Sequence, residues 1–148
     1  MNANDLLKLH EQVVDSWNRH DSKKFVTLMD ENIVLNDTGY PRPIRGKADA
    51  EKYFNSWVVA FPDFTMKTLN TVISGDYIAA EVECSGTNKG PLKIGDQQEI
   101  PATNKKVTNR VCFFAKVKNG KTVDVHVYSD VAGIMTQLGL LEVHEMHA

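Results

Sequence analysis

A chain of 148 residues, 42% hydrophobic and 24% charged, has the size and make-up of one globular domain with a substantial core. Its formal net charge of -2 gives no basic footprint for nucleic acid, and pairs such as Lys23-Lys24 and Lys105-Lys106 are too small to supply one. No apolar run nears the ~20 residues of a membrane-spanning helix, and the opening MNANDLLKLHE lacks the basic region and apolar core of a signal peptide, so a cytoplasmic address is expected. The two cysteines, Cys84 and Cys112, lie in strand-like patterns outside any CxxC and are read as reduced, partly buried thiols.

The chain divides by hydrophobic period. Over residues 4–19, Leu6, Leu9, Val13, Val14 and Trp17 recur at helical steps. Asp21 suits the cap of a short second helix carrying Phe25, Leu28 and Met29. Ile33-Val34-Leu35 reads as a short strand running into the turn-rich NDTGYPRP. A third helix is expected over 47–60, with Ala50, Tyr53, Phe54, Trp57 and Val58 on one face and Pro62 as its stop.

Beyond Pro62 the period becomes two. Strands are expected over 64–74, 77–84 and 107–117, with a long polar arm over 86–104 before the last of them. Lys118-Asn119-Gly120-Lys121 holds the Asn-Gly hairpin signal and leads into TVDVHVYSD, residues 122–130. There Val123, Val125 and Val127 alternate with Asp124, His126, Tyr128 and Asp130. A helix over 131–141 closes the pattern. Helices followed by hairpin-joined strands predict an α+β fold: a curved antiparallel sheet wrapped around three N-terminal helices, with a cone-shaped cavity between them and a short C-terminal helix.

Several segments in this order resemble the SnoaL-like polyketide cyclases of the nuclear transport factor 2-like superfamily, the cystatin-like cone folds. They are Ser16-Trp17-Asn18-Arg19-His20-Asp21, Ile44-Arg45-Gly46, Ala60-Phe61-Pro62-Asp63, Ser74-Gly75-Asp76, Ile100-Pro101-Ala102-Thr103, Asn119-Gly120-Lys121 and Gln137-Leu138-Gly139. The resemblance spans nearly the whole chain, 1–148, as a single domain. It implies a cavity and a cofactor-free intramolecular aldol reaction, with an aspartate on the last strand as general acid/base and a histidine on the preceding strand assisting. Counted from the Asn-Gly hairpin, those two positions hold Val127 and Phe113. Neither side chain can move a proton. If the family's acid faces the cavity, Val125, Val127 and Ser129 face it too and Asp124, His126 and Tyr128 face outward, unless a β-bulge intervenes and flips the parity.

The remaining candidates each carry two readings. Asp130, at a strand end near the cavity mouth, is the leading catalytic carboxylate, or else the N-cap of the last helix. Asp124 fits a cross-strand ion pair with Lys116 or Arg110, and His126 an outward histidine hydrogen-bonded across the strand. Asn109, polar on an inward apolar face, would orient a ligand carbonyl or sit wet at a rim. Asn36 would face the cavity from the end of the first strand, while Asp37 belongs slightly more to turn chemistry. Trp17, Tyr53, Trp57 and Phe61 would serve both as core and as an aromatic wall. Tyr40 is a surface turn residue or a lid. His144 and His147, with Glu145 between them, lie too near a chain end to make a metal site. No GxSxG, P-loop or GxGxxG occurs. Two functions follow. One is a cofactor-independent cyclase, isomerase or hydrolase acting on a small hydrophobic carbonyl or cyclic compound. The other is a binding or interaction module on the same scaffold. A homodimer through the outer sheet face, including Phe114, His126 and Tyr128, is expected beside either.

Overall fold

The structure is a computed structural model and describes residues 1–94 and 98–141. Helix α1 (Ala3–Asn18) opens on a capping box, in which the Asn2 side chain accepts from the Asp5 backbone N–H and Asp5 reaches back to that of Asn2. Helix α2 (Ser22–Thr27) begins at Asp21, whose carboxylate accepts from the Lys24 N–H at 3.0 Å. Strand β1 (Met29–Asp37) is longer than the three-residue strand expected, because it finds partners on both sides. The two-residue β2 (Ile44–Arg45) leads into α3 (Gly46–Ala60).

The remaining strands are β3 (Thr65–Ser74), β4 (Tyr77–Thr87), β5 (Lys106–Lys118) and β6 (Lys121–Ser129), followed by α4 (Val131–Gln137). They form one curved six-stranded sheet in the order β2-β1-β6-β5-β4-β3. One pairing departs from the expected antiparallel sheet: β1 runs parallel to β6, with Leu35 beside Val125 and Asp37 beside Val127. A parallel pair needs a long crossover, and here every element from β2 to β5 lies between the two strands. Asn119 and Gly120 adopt φ values of 51° and 75°, the left-handed conformations that close a tight hairpin between β5 and β6.

The β5–β6 register shifts between Lys116 and Val117, which pair with Asp124 and Thr122, so Val123 is the extra residue. The bulge therefore lies upstream of the polar stretch. Thr122 turns inward and is buried, and Val125, Val127 and Ser129 keep the inward parity. Helix α4 stops at Gln137, short of the expected residue 141. Gly139, at φ 76°, lets the Leu140 N–H return to the Met135 carbonyl and the Gly139 N–H to that of Thr136.

Helix α1 crosses β3 and β4, and α3 lies over β1, so the helices cover one sheet face. The core between the layers is built from Trp17, Phe25, Ile33, Leu35, Phe54 and Phe64, among others. The Trp17 ring stacks on Phe54 with centroids 4.1 Å apart. The polar arm is fastened by Asn88, which is fully buried. Its amide donates to the Ala60 and Gly90 carbonyls and its Oδ1 accepts from the Thr103 N–H and hydroxyl. Gly90 passes so close to α3 that a Cβ there would meet the Val59 carbonyl oxygen. Among the described residues no helix is long and apolar enough to cross a membrane. His144, Glu145 and His147 lie outside the described residues.

Candidate functional site

Two cavities of about 90 Å³ each lie between sheet and helices. Trp17, Met66 and Val111 belong to the walls of both, so only side chains separate them. Together they exceed the ~150 Å³ that holds a benzene in an engineered apolar cavity.

The first cavity is bounded by α1 through Leu6, Leu9, His10, Val13 and Trp17, and by the sheet through Phe113, Val125 and Val127. This follows from periodicity, since the helical stripe of α1 meets the inward side chains of β5 and β6. Tyr53 reaches its wall from α3, and its phenol donates to Asp37 Oδ2 at 2.7 Å. Burial, and then the Asp37 carboxylate, hold that phenol well above the usual tyrosine range.

The second cavity is walled by Trp57 and Phe61 at the end of α3, by Cys84 on β4, by Asn109 on β5 and by Ser129 on β6. The Trp57 and Phe61 rings stack with centroids 6.2 Å apart. The indole Nε1 of Trp57 is buried and has no hydrogen-bond partner among the described residues. The Asn109 side chain is buried as well, and among the described residues none is hydrogen-bonded to its amide. Burial pushes the Cys84 thiol up to about 12, so it stays protonated and unreactive at neutral pH.

Of the residues singled out from the sequence, the structure brings Trp17, Tyr53, Trp57, Phe61, Asn109, Phe113 and Val127 to these walls. It leaves out two. Asn36 pairs with His126 and so points to the opposite sheet face, because neighbouring residues alternate and Leu35 is the inward one. The inward polar residue at that strand end is Asp37, which also performs the turn chemistry by accepting the Gly39 N–H at 2.8 Å. Asp130 is exposed, lines neither cavity and caps α4 by accepting the Gly133 N–H at 2.9 Å.

On the outer face the expected pairing of Asp124 with Lys116 or Arg110 is replaced. Asp124 accepts from His126 Nε2 at 2.8 Å along its own strand, while the Lys116 ammonium lies 5.7 Å above the Tyr77 ring. Tyr40 packs its ring 5.3 Å from that of Tyr53 instead of standing free in the turn.

Sequence reasoning passed over His10 and Met66. His10 falls on the same helical stripe as Leu6, Val13 and Trp17, and that spacing is the signal that could have found it. Its ring packs 5.6 Å from that of Phe113. No Asp or Glu lines either cavity among the described residues, nor do any of these group as a metal site.

Residues 8–138 match the family model of the SnoaL-like polyketide cyclases. The chain belongs to that family. No curated protein matches it. Its fold is shared with AclR from Streptomyces galilaeus at 19% identity and a TM-score of 0.82, over 97% of this chain and 87% of that one. TsrD from Streptomyces laurentii is similar at 18% identity and a TM-score of 0.82, over 95% of this chain and 99% of that one. A LEH-like epoxide hydrolase of M. tuberculosis aligns at 16% identity and a TM-score of 0.69, covering 91% and 90%. At such identities the likeness is one of scaffold, and function must be argued from the site.

Proposed function

We propose that this SnoaL-like protein binds a small, largely apolar carbonyl compound in the paired cavities, with the carbonyl oxygen accepting from Trp57. The observation that carries this reading is the Trp57 indole N–H, buried without an acceptor among the described residues on a largely apolar wall. Leaving a buried donor unpaired costs roughly 1–3 kcal/mol, and a ligand carbonyl recovers that loss on binding. Asn109, lining the same cavity, offers a second donor, while the aromatic and aliphatic walls exclude charged ligands. Met66 is unbranched and lines both cavities, so its rotation would merge them for a ligand larger than either.

The test compares 2-indanone with indane, which has the same ring frame and no carbonyl, by quenching of tryptophan fluorescence. We expect indanone to bind the more tightly. Trp57→Phe should weaken indanone by about tenfold, the equivalent of one hydrogen bond, and leave indane unchanged. Equal binding of the two compounds, or no effect of the substitution, would remove the reading.

A second reading, a binding module without chemistry, is favoured by one observation: the cavity walls carry Val127 and Phe113 and no carboxylate among the described residues. In either case we propose a homodimer formed through the outer face of the sheet, where Tyr77, Phe114 and Tyr128 are exposed.

A further inference from the structure

Two side chains, one in each cavity wall, share a condition. Trp57 Nε1 beside the second cavity and His10 Nδ1 beside the first are both buried, with no hydrogen-bond partner among the described residues. His10 is 4% exposed, on the stripe of α1 that carries Leu6, Val13 and Trp17. Its Nε2 lies 2.9 Å from Oγ1 of Thr68, an exposed residue on the edge strand β3. Burial lowers the pKa of the ring and outweighs the opposing charge of Glu11, so the imidazole is neutral at pH 8. A neutral imidazole carries one N–H and one lone pair. The proton belongs on Nε2, where it donates to Thr68, because the other tautomer would strand an N–H donor in an apolar wall. Nδ1 is then an acceptor without a donor.

The cavities lie end to end along β5. Asn109 borders the second, Val111 borders both, and Phe113, Ala115 and Val117 border the first, as successive inward side chains of one strand. The His10 ring packs against Phe113, one inward step beyond the shared Val111. From Asn109 to Phe113 a strand rises about 13 Å, so the Trp57 donor and the His10 acceptor serve opposite halves of one elongated space. That space also divides the core. Leu6, Leu9 and Val117 form a cluster apart from the one around Trp17 and Phe25, and the first cavity takes wall from both. Protein interiors are close-packed, and a gap between two core clusters is room for a guest. The guest's donor must be neutral, because no Asp or Glu lines either cavity among the described residues and a buried ammonium would go unpaired. Tyr53, on the same wall, has its hydroxyl committed to Asp37.

We propose that His10 is a binding residue that receives a hydroxyl group, so that the ligand is an apolar molecule with a carbonyl at one end and a hydroxyl remote from it. This rests on the ligand reading above and deepens it by naming the second polar group. The ligand O–H donates to His10 Nδ1 while its carbonyl accepts from Trp57, and the apolar body between them passes Met66. No proton is transferred and no covalent bond changes. Thr68 is a positioning residue here: by holding the imidazole proton on Nε2 it keeps Nδ1 an acceptor. Selectivity for length follows, since a ligand too short to reach both ends buries its hydroxyl unpaired.

The experiment measures affinity at pH 8, by tryptophan quenching, for terminally hydroxylated 2-alkanones from 5-hydroxy-2-pentanone to 11-hydroxy-2-undecanone. Each is compared with the plain 2-alkanone of equal carbon number. The alkanones should tighten steadily as the chain grows. The hydroxyketones should bind more weakly than their partners at short length and about tenfold more tightly at the one length that meets both groups. His10→Leu should abolish that maximum while the alkanones still bind. Nitrogen-15 NMR of the wild-type ring reads the same contact without any variant: Nε2 protonated, Nδ1 unprotonated and shifted by the best hydroxyketone but not by its alkanone. Thr68→Val should let the proton redistribute towards Nδ1 in the same spectrum. Alkanones that bind while no hydroxyketone exceeds its partner, a maximum undiminished in His10→Leu, or a proton on Nδ1 of wild type would overturn the inference and leave the ligand reading standing. Failure of every alkanone to bind would overturn the ligand reading, and this inference with it.

Discussion

The Tyr53 hydroxyl donates to Asp37 Oδ2 across 2.7 Å, tying the middle of α3 to the end of β1. It sets the spacing between the helix that walls both cavities and the strand beside β6. Tyr53→Phe leaves a buried carboxylate oxygen without this donor, and should cost about 1–2 kcal/mol in urea denaturation at pH 8. The folded protein holds the Tyr53 proton more tightly than the unfolded chain does. Its stabilisation is therefore full below the unfolded value of ~10 and is lost as pH rises through the folded value. The gap between wild type and Tyr53→Phe should narrow above that pH, and a gap that widens there would contradict the assignment.

Val127→Asp restores a carboxyl to the cavity wall. An aspartate there is desolvated, so its pKa should rise and the variant should be least stable where the group must ionise. We expect a deficit of about 2 kcal/mol at pH 7.5 that shrinks as pH falls towards 4.

Asp130→Ala removes the cap of α4 and should lower stability by about 1 kcal/mol. Indanone affinity should stay at wild-type level, because Asp130 lines neither cavity. A loss of indanone affinity would instead return this residue to the ligand site.

Phe114→Glu places a charge on the outer face, beside Tyr128, whose ring meets that of Phe114 edge-on at 6.3 Å. Sedimentation velocity should show a dimer for wild type and a monomer for the variant, with unchanged circular dichroism. A wild-type monomer at micromolar concentration would reject the proposed pairing.

Local signals were the legible part of this fold. Asp21 before an apolar helix and Asn119-Gly120 between two alternating runs each act within a few residues, and the structure uses them as the sequence suggests. Most of the cavity wall was legible for the same reason, since Trp57, Asn109 and Val127 sit on faces that simple periodicity assigns. The contrast between Asn36 and Asp37 was not legible. Which of two adjacent polar residues faces inward depends on a register set by pairing with β6, far along the chain. His10 was missed for another reason. A histidine in an apolar stripe looks like any core residue until Thr68, brought in from β3, claims one nitrogen and leaves the other bare.

The parallel pairing of β1 with β6 also bears on how the chain assembles. Strand β1 is made early, yet the neighbour that covers its long edge is the last strand of the chain. During synthesis the β3–β4 hairpin can zip up locally and β5 can add to it across the arm, while β1 waits with only the two-residue β2 beside it. The cavity therefore has no complete wall until β6 slots between β1 and β5, and a chain truncated before residue 121 would expose an apolar trough and two hungry strand edges. Such a fragment should seek chaperones or aggregate rather than bind a ligand.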